Sequence, residues 1–324
     1  MKKVLVSGGA GYIGSVLVRL LLEKGYHVRV IDNLSFGGEP IIDLLTHSNF
    51  SFIKGDIRDI DAVKEAVKDI DYVAHLAAIV GDPACAIDPE LTRSINLDGS
   101  KLLYETANKE GVRKFVFAST CSNYGKMKDP DSFVNEESEL SPISLYAETK
   151  VAFENFLLNK DKSNICKPTC LRFSTVYGLS LRPRFDLTVN EFTKELALNR
   201  ELVIFGEQFW RPYCHVNDLA ASVELVFSSD DKKTAFEVFN VGDTNENYQK
   251  KMIVDEIKKC LPDAIVKYVS KTEDPRDYRV NFNKIEKQLG FKITRQVPDG
   301  VKEIIQAVKD GFIVNPDDQK YRNS

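Results

Sequence analysis

The chain has 324 residues, 43% of them hydrophobic and 28% charged, with a formal net charge of −4. That is ordinary globular composition with apolar material for a sizeable core, in two domains or one large α/β unit. The slight acidity excludes a global electrostatic case for binding nucleic acid or an anionic membrane, so any phosphate on a ligand must be met by a few local groups.

The opening Met1-Lys2-Lys3-Val4-Leu5-Val6 is basic and then apolar, but Ser7-Gly8-Gly9 ends the apolar run too early for a signal-peptide core or a membrane span. It reads as a buried first strand, Val4–Val6. Further strands are expected at Val28–Ile31, Phe50–Ile53, Tyr72–His75, Lys114–Ala118 and Thr169–Phe173. Amphipathic helices fall between them at Ile13–Glu23, Ile60–Val67, Pro89–Lys109 and Leu145–Leu158, with Gly25 and Gly111 as helix stops. Such alternation predicts a doubly wound parallel sheet of the Rossmann type over residues 1–175, with ligands beyond the carboxyl ends of the strands.

Past residue 176 the alternation breaks into shorter helices at Leu187–Leu198, Val216–Phe227, Met252–Cys260, Lys284–Leu289 and Gly300–Lys309. Charged loops such as Lys271–Arg276 separate them. Residues 176–311 read mainly as a smaller C-terminal substrate-binding lobe, some of whose elements can interleave with the sheet, and 312–324 as a loose tail. No segment approaches 18 uncharged apolar residues, so a cytoplasmic protein without membrane contact is expected. The six cysteines are dispersed and lack zinc spacing, which predicts free thiols and no metal.

Gly8-Gly9-Ala10-Gly11-Tyr12-Ile13-Gly14 follows the first strand and opens the first helix. Gly8 permits the turn, Gly11 admits a pyrophosphate against the backbone, and Gly14 allows close helix–strand packing. The helix N-terminus then presents free N–H groups to the phosphates. The second strand ends in Asp32, 18 residues after Gly14. A carboxylate there accepts the ribose hydroxyls of adenosine and repels a 2′-phosphate, so NAD is expected over NADP, with Arg29 nearby as the one complication. Gly55-Asp56-Ile57 fits the adenine edge, and Leu76-Ala77-Ala78 lets a dinucleotide lie against backbone.

Tyr146 and Lys150 stand one helical turn apart on one face. The ammonium is expected to favour the phenolate and to lower the pKa of Tyr146. Ser119-Thr120-Cys121-Ser122-Asn123-Tyr124-Gly125 follows the fifth strand and offers a hydroxyl for a substrate alcohol.

With these residues in place, the chain resembles the extended short-chain dehydrogenase/reductase family, the sugar-nucleotide epimerases and dehydratases, over nearly its whole length. The resemblance is carried by Gly8–Gly14, Asp32-Asn33-Leu34, Asp56-Ile57, His75-Leu76-Ala77-Ala78, Asn96, Ser119–Gly125, Tyr146–Lys150, Leu171-Arg172-Phe173 and Arg211–Asp218. It implies Tyr146 as acid/base, Lys150 on the nicotinamide ribose and Thr120 orienting the sugar hydroxyl. Cofactor contacts are implied at Gly8, Gly11, Tyr12, Ile13, Gly14, Asp32, Asn33, Asp56, Ile57, Leu76, Ala77, Ala78, Asn96 and Ser119, besides Tyr146 and Lys150. Substrate contacts are implied at Thr120, Ser122, Asn123, Thr175, Arg184, Arg211 and Arg276, with Arg211 and Arg276 on the diphosphate. His215 is structural by the same resemblance. So is a homodimer, through Pro89–Lys109 and Leu145–Leu158.

Family dehydratases carry Asp-Glu after the hydroxyl residue, and this chain has Cys121-Ser122, which argues against a 4,6-dehydratase. Thr175 replaces an Asn that often touches substrate. Val80–Cys85 and Leu181–Asp186, both in substrate-facing loops, are unusual and resemble a subgroup acting on GDP-linked heptoses or related GDP-sugars. The expected activity is NAD-dependent oxidoreduction at C4 of a nucleotide sugar, as a 4-epimerase or 4-dehydrogenase. A 4-keto reductase using NADH is the alternative within the class, and a non-catalytic NAD-sensing protein the one outside it.

Overall fold

The computed structural model describes residues 1–127, 129, 132–272 and 276–323, so Glu273–Pro275 of the expected charged loop lie outside the described residues. Six runs form strands where they were expected: β1 (Lys3–Ser7), β2 (His27–Asp32), β3 (Phe50–Lys54), β4 (Tyr72–His75), β5 (Lys114–Thr120) and β6 (Lys167–Phe173). Between them lie α1 (Tyr12–Glu23), α2 (Ile60–Val67), α3 (Asp82–Ile87), α4 (Pro89–Arg93), α5 (Ser100–Lys109) and α6 (Leu145–Leu158). The helix read as Pro89–Lys109 is not uniform. A π-helical turn over Ser94–Gly99 separates α4 from α5, a feature common beside functional sites.

The remaining elements are β7 (Thr175–Tyr177), α7 (Thr188–Ala197), β8 (Leu202–Phe205), β9 (Trp210–His215), α8 (Val216–Ser228), α9 (Asp231–Thr234), β10 (Glu237–Val241), β11 (Asn247–Gln249), α10 (Lys250–Cys260), β12 (Val266–Val269), α11 (Asn283–Leu289) and α12 (Val297–Lys309). Seven parallel strands form the main sheet in the order β10-β6-β5-β4-β1-β2-β3. β10 is a strand that sequence patterning missed. Its short run pairs with β6, far away in sequence, so nothing local announces it.

Both sheet faces are covered, as a parallel sheet requires. Leu17 and Leu21 of α1 pack with Leu219 and Val223 of α8 on one side. Val63, Leu103 and Phe153 from α2, α5 and α6 form the core of the other. The second lobe gathers Val189, Phe192, Ile253, Ile257, Val301 and Ile304 from α7, α10 and α12. Its small sheets, β11-β9-β7 and β12-β8, leave the long parallel ladder to the first lobe. No helix among the described residues is long and apolar enough to cross a membrane.

The segment after Phe312, expected to hang loose, is docked. Asp317 pairs with Lys194 and Arg200, Tyr321 packs edge-on against Phe185, and the Asn323 backbone N–H donates to Asp186. Its polar sequence is matched by charged partners on the second lobe, which composition alone cannot reveal.

Candidate active site

The strand order reverses between β1 and β4, and a cleft of about 550 Å³ opens there along the carboxyl ends of the strands. Gly8, at φ +78°, makes the turn out of β1, and a Cβ there would come within 2.8 Å of the Ala77 nitrogen. A Cβ on Gly14 would meet Gly8 O at 2.1 Å, so this glycine sets how closely α1 approaches the turn. Asp32 Oδ2 accepts from the Ala10 N–H at 3.0 Å and Oδ1 from the Leu34 N–H at 2.9 Å, which ties the glycine turn to the end of β2. Arg29 is drawn off to the carbonyls of Glu65, Ala66 and Lys68 at the end of α2, leaving Asp32 to face the cleft. Gly11, Tyr12, Ile13, Asn33, Asp56, Ile57, Leu76, Ala77 and Ala78 line the same cleft. The arrangement fits a dinucleotide by its own geometry: a cradle without Cβ atoms, a helix N-terminus and a carboxylate at the second strand end.

Ser119, Thr120, Tyr146 and Lys150 close the other end of the cleft. Ser144 caps α6 by accepting from the Ala147 N–H at 3.3 Å, and the helix then carries Tyr146 and Lys150 on one face. Lys150 is 4% exposed. Its Nζ donates to Ala118 O at 2.8 Å and lies 5.8 Å from the Tyr146 ring centroid. Thr120 Oγ1 accepts from the Ser122 N–H at 3.1 Å. The electrostatics reverse one expectation. Burial raises the Tyr146 phenol well above its ordinary value, with the Thr120 hydrogen bond and the Arg184 charge opposing. Burial also depresses Lys150, to about 8. Desolvation is the largest cause of both shifts.

The Lys150 value has a consequence for stability. Its ordinary value is 10.5. Between pH 8 and 10.5 the unfolded chain holds a proton that the folded one has released, so stability rises with pH across that window. The cost of burying the cation, about 3 kcal/mol, is complete below pH 8. That cost is net of the bond to Ala118 O and the contact over the Phe117 ring, both of which favour the charged form, so the uncharged Lys150→Met removes it. The nucleotide-free variant should therefore melt a few degrees above wild type at pH 7 and lose that advantage by pH 10, while turnover disappears. Equal midpoints at pH 7 would contradict this.

Six of the residues expected to touch ligand are not in the cleft lining. Asn96, in the π-helical turn, accepts from Ile79 N at 2.8 Å and donates to Ile79 O at 2.9 Å, so it holds the backbone loop that follows Ala78. Asn123 is fully buried and donates to Ser119 Oγ and Glu154. Thr175 is in β7 between Ser174 and Val176, which do line the cleft; alternation along a strand turns it to the other face. Ser122, Arg211 and Arg276 gather instead around Tyr278: Ser122 Oγ is 3.5 Å from its hydroxyl, the Arg211 guanidinium carbon is 5.4 Å from its ring centroid, and burial pushes its phenol up to about 12 against the charges of both arginines. Arg276 also donates to Asp82 at 2.8 Å, and Asp82 in turn lies close enough to influence Tyr146. Arg184 does reach the cleft, paired through two bonds with Asp186. His215 caps α8 through the Asn217 N–H and meets Glu303 at 2.9 Å, a structural role.

Sequence reading missed a buried network under the site. Glu154, one turn beyond Lys150 on α6, accepts from Ser119, Asn123 and Arg172. Arg172 reaches on to Tyr124 at 2.9 Å, and Tyr124 donates to Asn240 at 2.8 Å. The signal was the i, i+4 step from Lys150 to an acidic residue on a helix face otherwise buried.

The NAD dependent epimerase/dehydratase family matches residues 4–242. Over 274 residues the chain is 32% identical to a UDP-glucose 4-epimerase of Lactobacillus helveticus, covering 79% of this chain and 81% of that one. The Thermotoga maritima UDP-glucose 4-epimerase, solved with UDP-glucose, superposes with a TM-score of 0.84 at 28% identity, covering 96% of this chain and 99% of the other. The Bacillus cereus UDP-glucuronic acid 4-epimerase, solved with UDP-glucuronic acid and NAD, gives 0.85 at 27% identity over 95% and 99%. With the glycine turn, Asp32 and the Tyr146–Lys150 pair on one cleft, the chain belongs to the NAD-dependent epimerase/dehydratase family of extended short-chain dehydrogenases/reductases and is an enzyme of that type.

Proposed function

We propose that the chain is a 4-epimerase of a UDP-linked sugar. The observation that carries this reading is the meeting of Thr120, Tyr146 and Lys150 with the dinucleotide cradle in one cleft. The relatives described above act on UDP-sugars, which moves these ahead of the GDP-sugars expected from residues 80–85 and 181–186. NAD, which Gly8, Gly11, Asp32 and Lys150 would hold, would supply a hydride acceptor for C4 and a positive charge to the cleft.

In this reading the Tyr146 oxygen takes the proton of the 4-hydroxyl and later returns it to the 4-keto oxygen. Burial favours the neutral phenol, and the positive charge of NAD would add to that of Arg184 in favouring the phenolate. Thr120 steadies the same sugar oxygen. Lys150, held by Ala118 O, keeps a cation at the ribose edge and favours the phenolate once the site is filled. In the same reading the sugar diphosphate extends beyond the lined cleft to Arg211 and Arg276, the two arginines whose charge acts on Tyr278.

Incubating the pure protein with NAD and UDP-glucose, UDP-N-acetylglucosamine, UDP-glucuronic acid and GDP-mannose tests the reading. NMR should show inversion at C4 of a UDP-sugar with no net absorbance at 340 nm. Accumulation of NADH with a released keto sugar would make it a dehydrogenase instead, and inversion of the GDP-sugar alone would overturn the choice of base.

A further inference from the structure

A second arginine stands over the cofactor cleft. Arg182, on the loop between β7 and α7, is 5% exposed and lines the cleft near Asp32 and Phe36. Its guanidinium carbon lies 3.7 Å from the Phe36 ring centroid, and Nη2 donates to the Arg322 carbonyl at 3.1 Å. Nε is sequestered from solvent with no hydrogen-bond partner. The neighbouring Arg184 has its carboxylate in Asp186, whereas Arg182 donates to a carbonyl and is short of counter-charge. Asp186 and Asp32 are the acids whose charge reaches it; the first is bonded to Arg184 and the second already accepts two backbone N–H groups.

The loop that carries Arg182 is latched to the dinucleotide cradle. Tyr12, in the first turn of α1, donates its hydroxyl to Gly178 O, and Asn190 bonds both ends of the loop, at Gly178 and Arg184. On the outer side the C-terminal segment closes over it. Asn323 Nδ2 donates to Val80 O at 3.4 Å, its backbone N–H reaches Asp186, and its Oδ1 is buried without a partner. Two orphaned polar atoms thus belong to residues lining the same cleft, from segments unconnected in sequence.

We infer that Arg182 binds the diphosphate of the dinucleotide from the side opposite the glycine turn, held there by Phe36 and residues 322–323. An anionic diphosphate supplies the counter-charge that Arg182 lacks, and a planar guanidinium suits its oxygens. The clamp makes loss of the cofactor slow compared with turnover, which an epimerase needs if hydride is to return to the same sugar. This rests on the 4-epimerase reading for its purpose, and on the cleft alone for its contacts.

The test is binding, measured by calorimetry on the full chain stripped of nucleotide, with NAD, ADP and adenosine as separate probes. Arg182→Gln should weaken NAD and ADP by about 10–100-fold, the scale of a charge-assisted bond, and leave adenosine within about twofold. Arg182→Lys should recover part of the loss. Bound NAD should leave the variant faster on desalting. Removal of residues 322–324 should act in the same direction, and it decides the matter if Arg182→Gln does not fold. Unchanged affinity for ADP, or an equal loss for adenosine, would overturn the inference by reducing Arg182 to a wall of the pocket. Failure of the wild type to bind NAD would sink the functional reading as well.

Discussion

Tyr146→Phe should lower turnover by 10²–10⁴-fold, the worth of a positioned acid/base, while NAD and a UDP-sugar still bind with nearly unchanged affinity. The substitution removes one oxygen and keeps the ring. Thr120 keeps its bond from the Ser122 N–H, Lys150 keeps Ala118 O, and Ser144 still caps the helix, so the fold around the missing hydroxyl persists. The loss should therefore fall on kcat and leave KM and the thermal midpoint close to wild type. Initial rates of C4 inversion, read by NMR beside calorimetric binding, separate the two effects. A variant retaining more than about a tenth of the wild-type rate would remove Tyr146 from the proton-transfer role. Loss of binding together with rate would make the phenol a structural group.

Those parts of the fold and site that depend on local pattern were legible in the sequence. β1 to β6 are short apolar runs bounded by helix starts and glycine stops, and the glycine turn, Asp32, Leu76–Ala78 and Ser119–Thr120 at their carboxyl ends meet on one cleft. What depended on distant pairing was not legible. β10 joins β6 without a local cue, and Arg182 and Asn323 reach the cleft from the second half of the chain and its very end. Parity along β7 sends Thr175 away while Ser174 and Val176 face inward. The proton balance of the Tyr146–Lys150 pair also escaped sequence reading, because adjacency on a helix says nothing about how deeply both groups are buried. Asn96 and Asn123 follow the same rule: a polar residue next to a site can serve the ligand or its surroundings, and here Asn96 holds the Ile79 backbone while Asn123 holds Ser119 and Glu154.

Glu154→Ala should cost about 3–5 kcal/mol of stability, the penalty for leaving a buried cation unpaired. Glu154 is 1% exposed, and its carboxylate is the acceptor shared by Arg172, Ser119 and Asn123. Removing it strands the Arg172 guanidinium, itself 4% exposed, and unties the end of β5 from α6. Thr120 stands on the first of these elements and Tyr146 on the second, so their mutual position loosens and kcat falls with stability. The paired variant Glu154→Leu/Arg172→Met separates the two losses. Replacing a buried ion pair by apolar groups of similar volume is often neutral, so at least half of the lost stability should return. Activity should not return with it, because Ser119 and Asn123 still lack their acceptor. Denaturant unfolding of the three proteins, followed by rates at matched folded fraction, measures both. If Glu154→Ala costs no more than a surface change, or the double variant regains full activity, the network is packing and does not position the site.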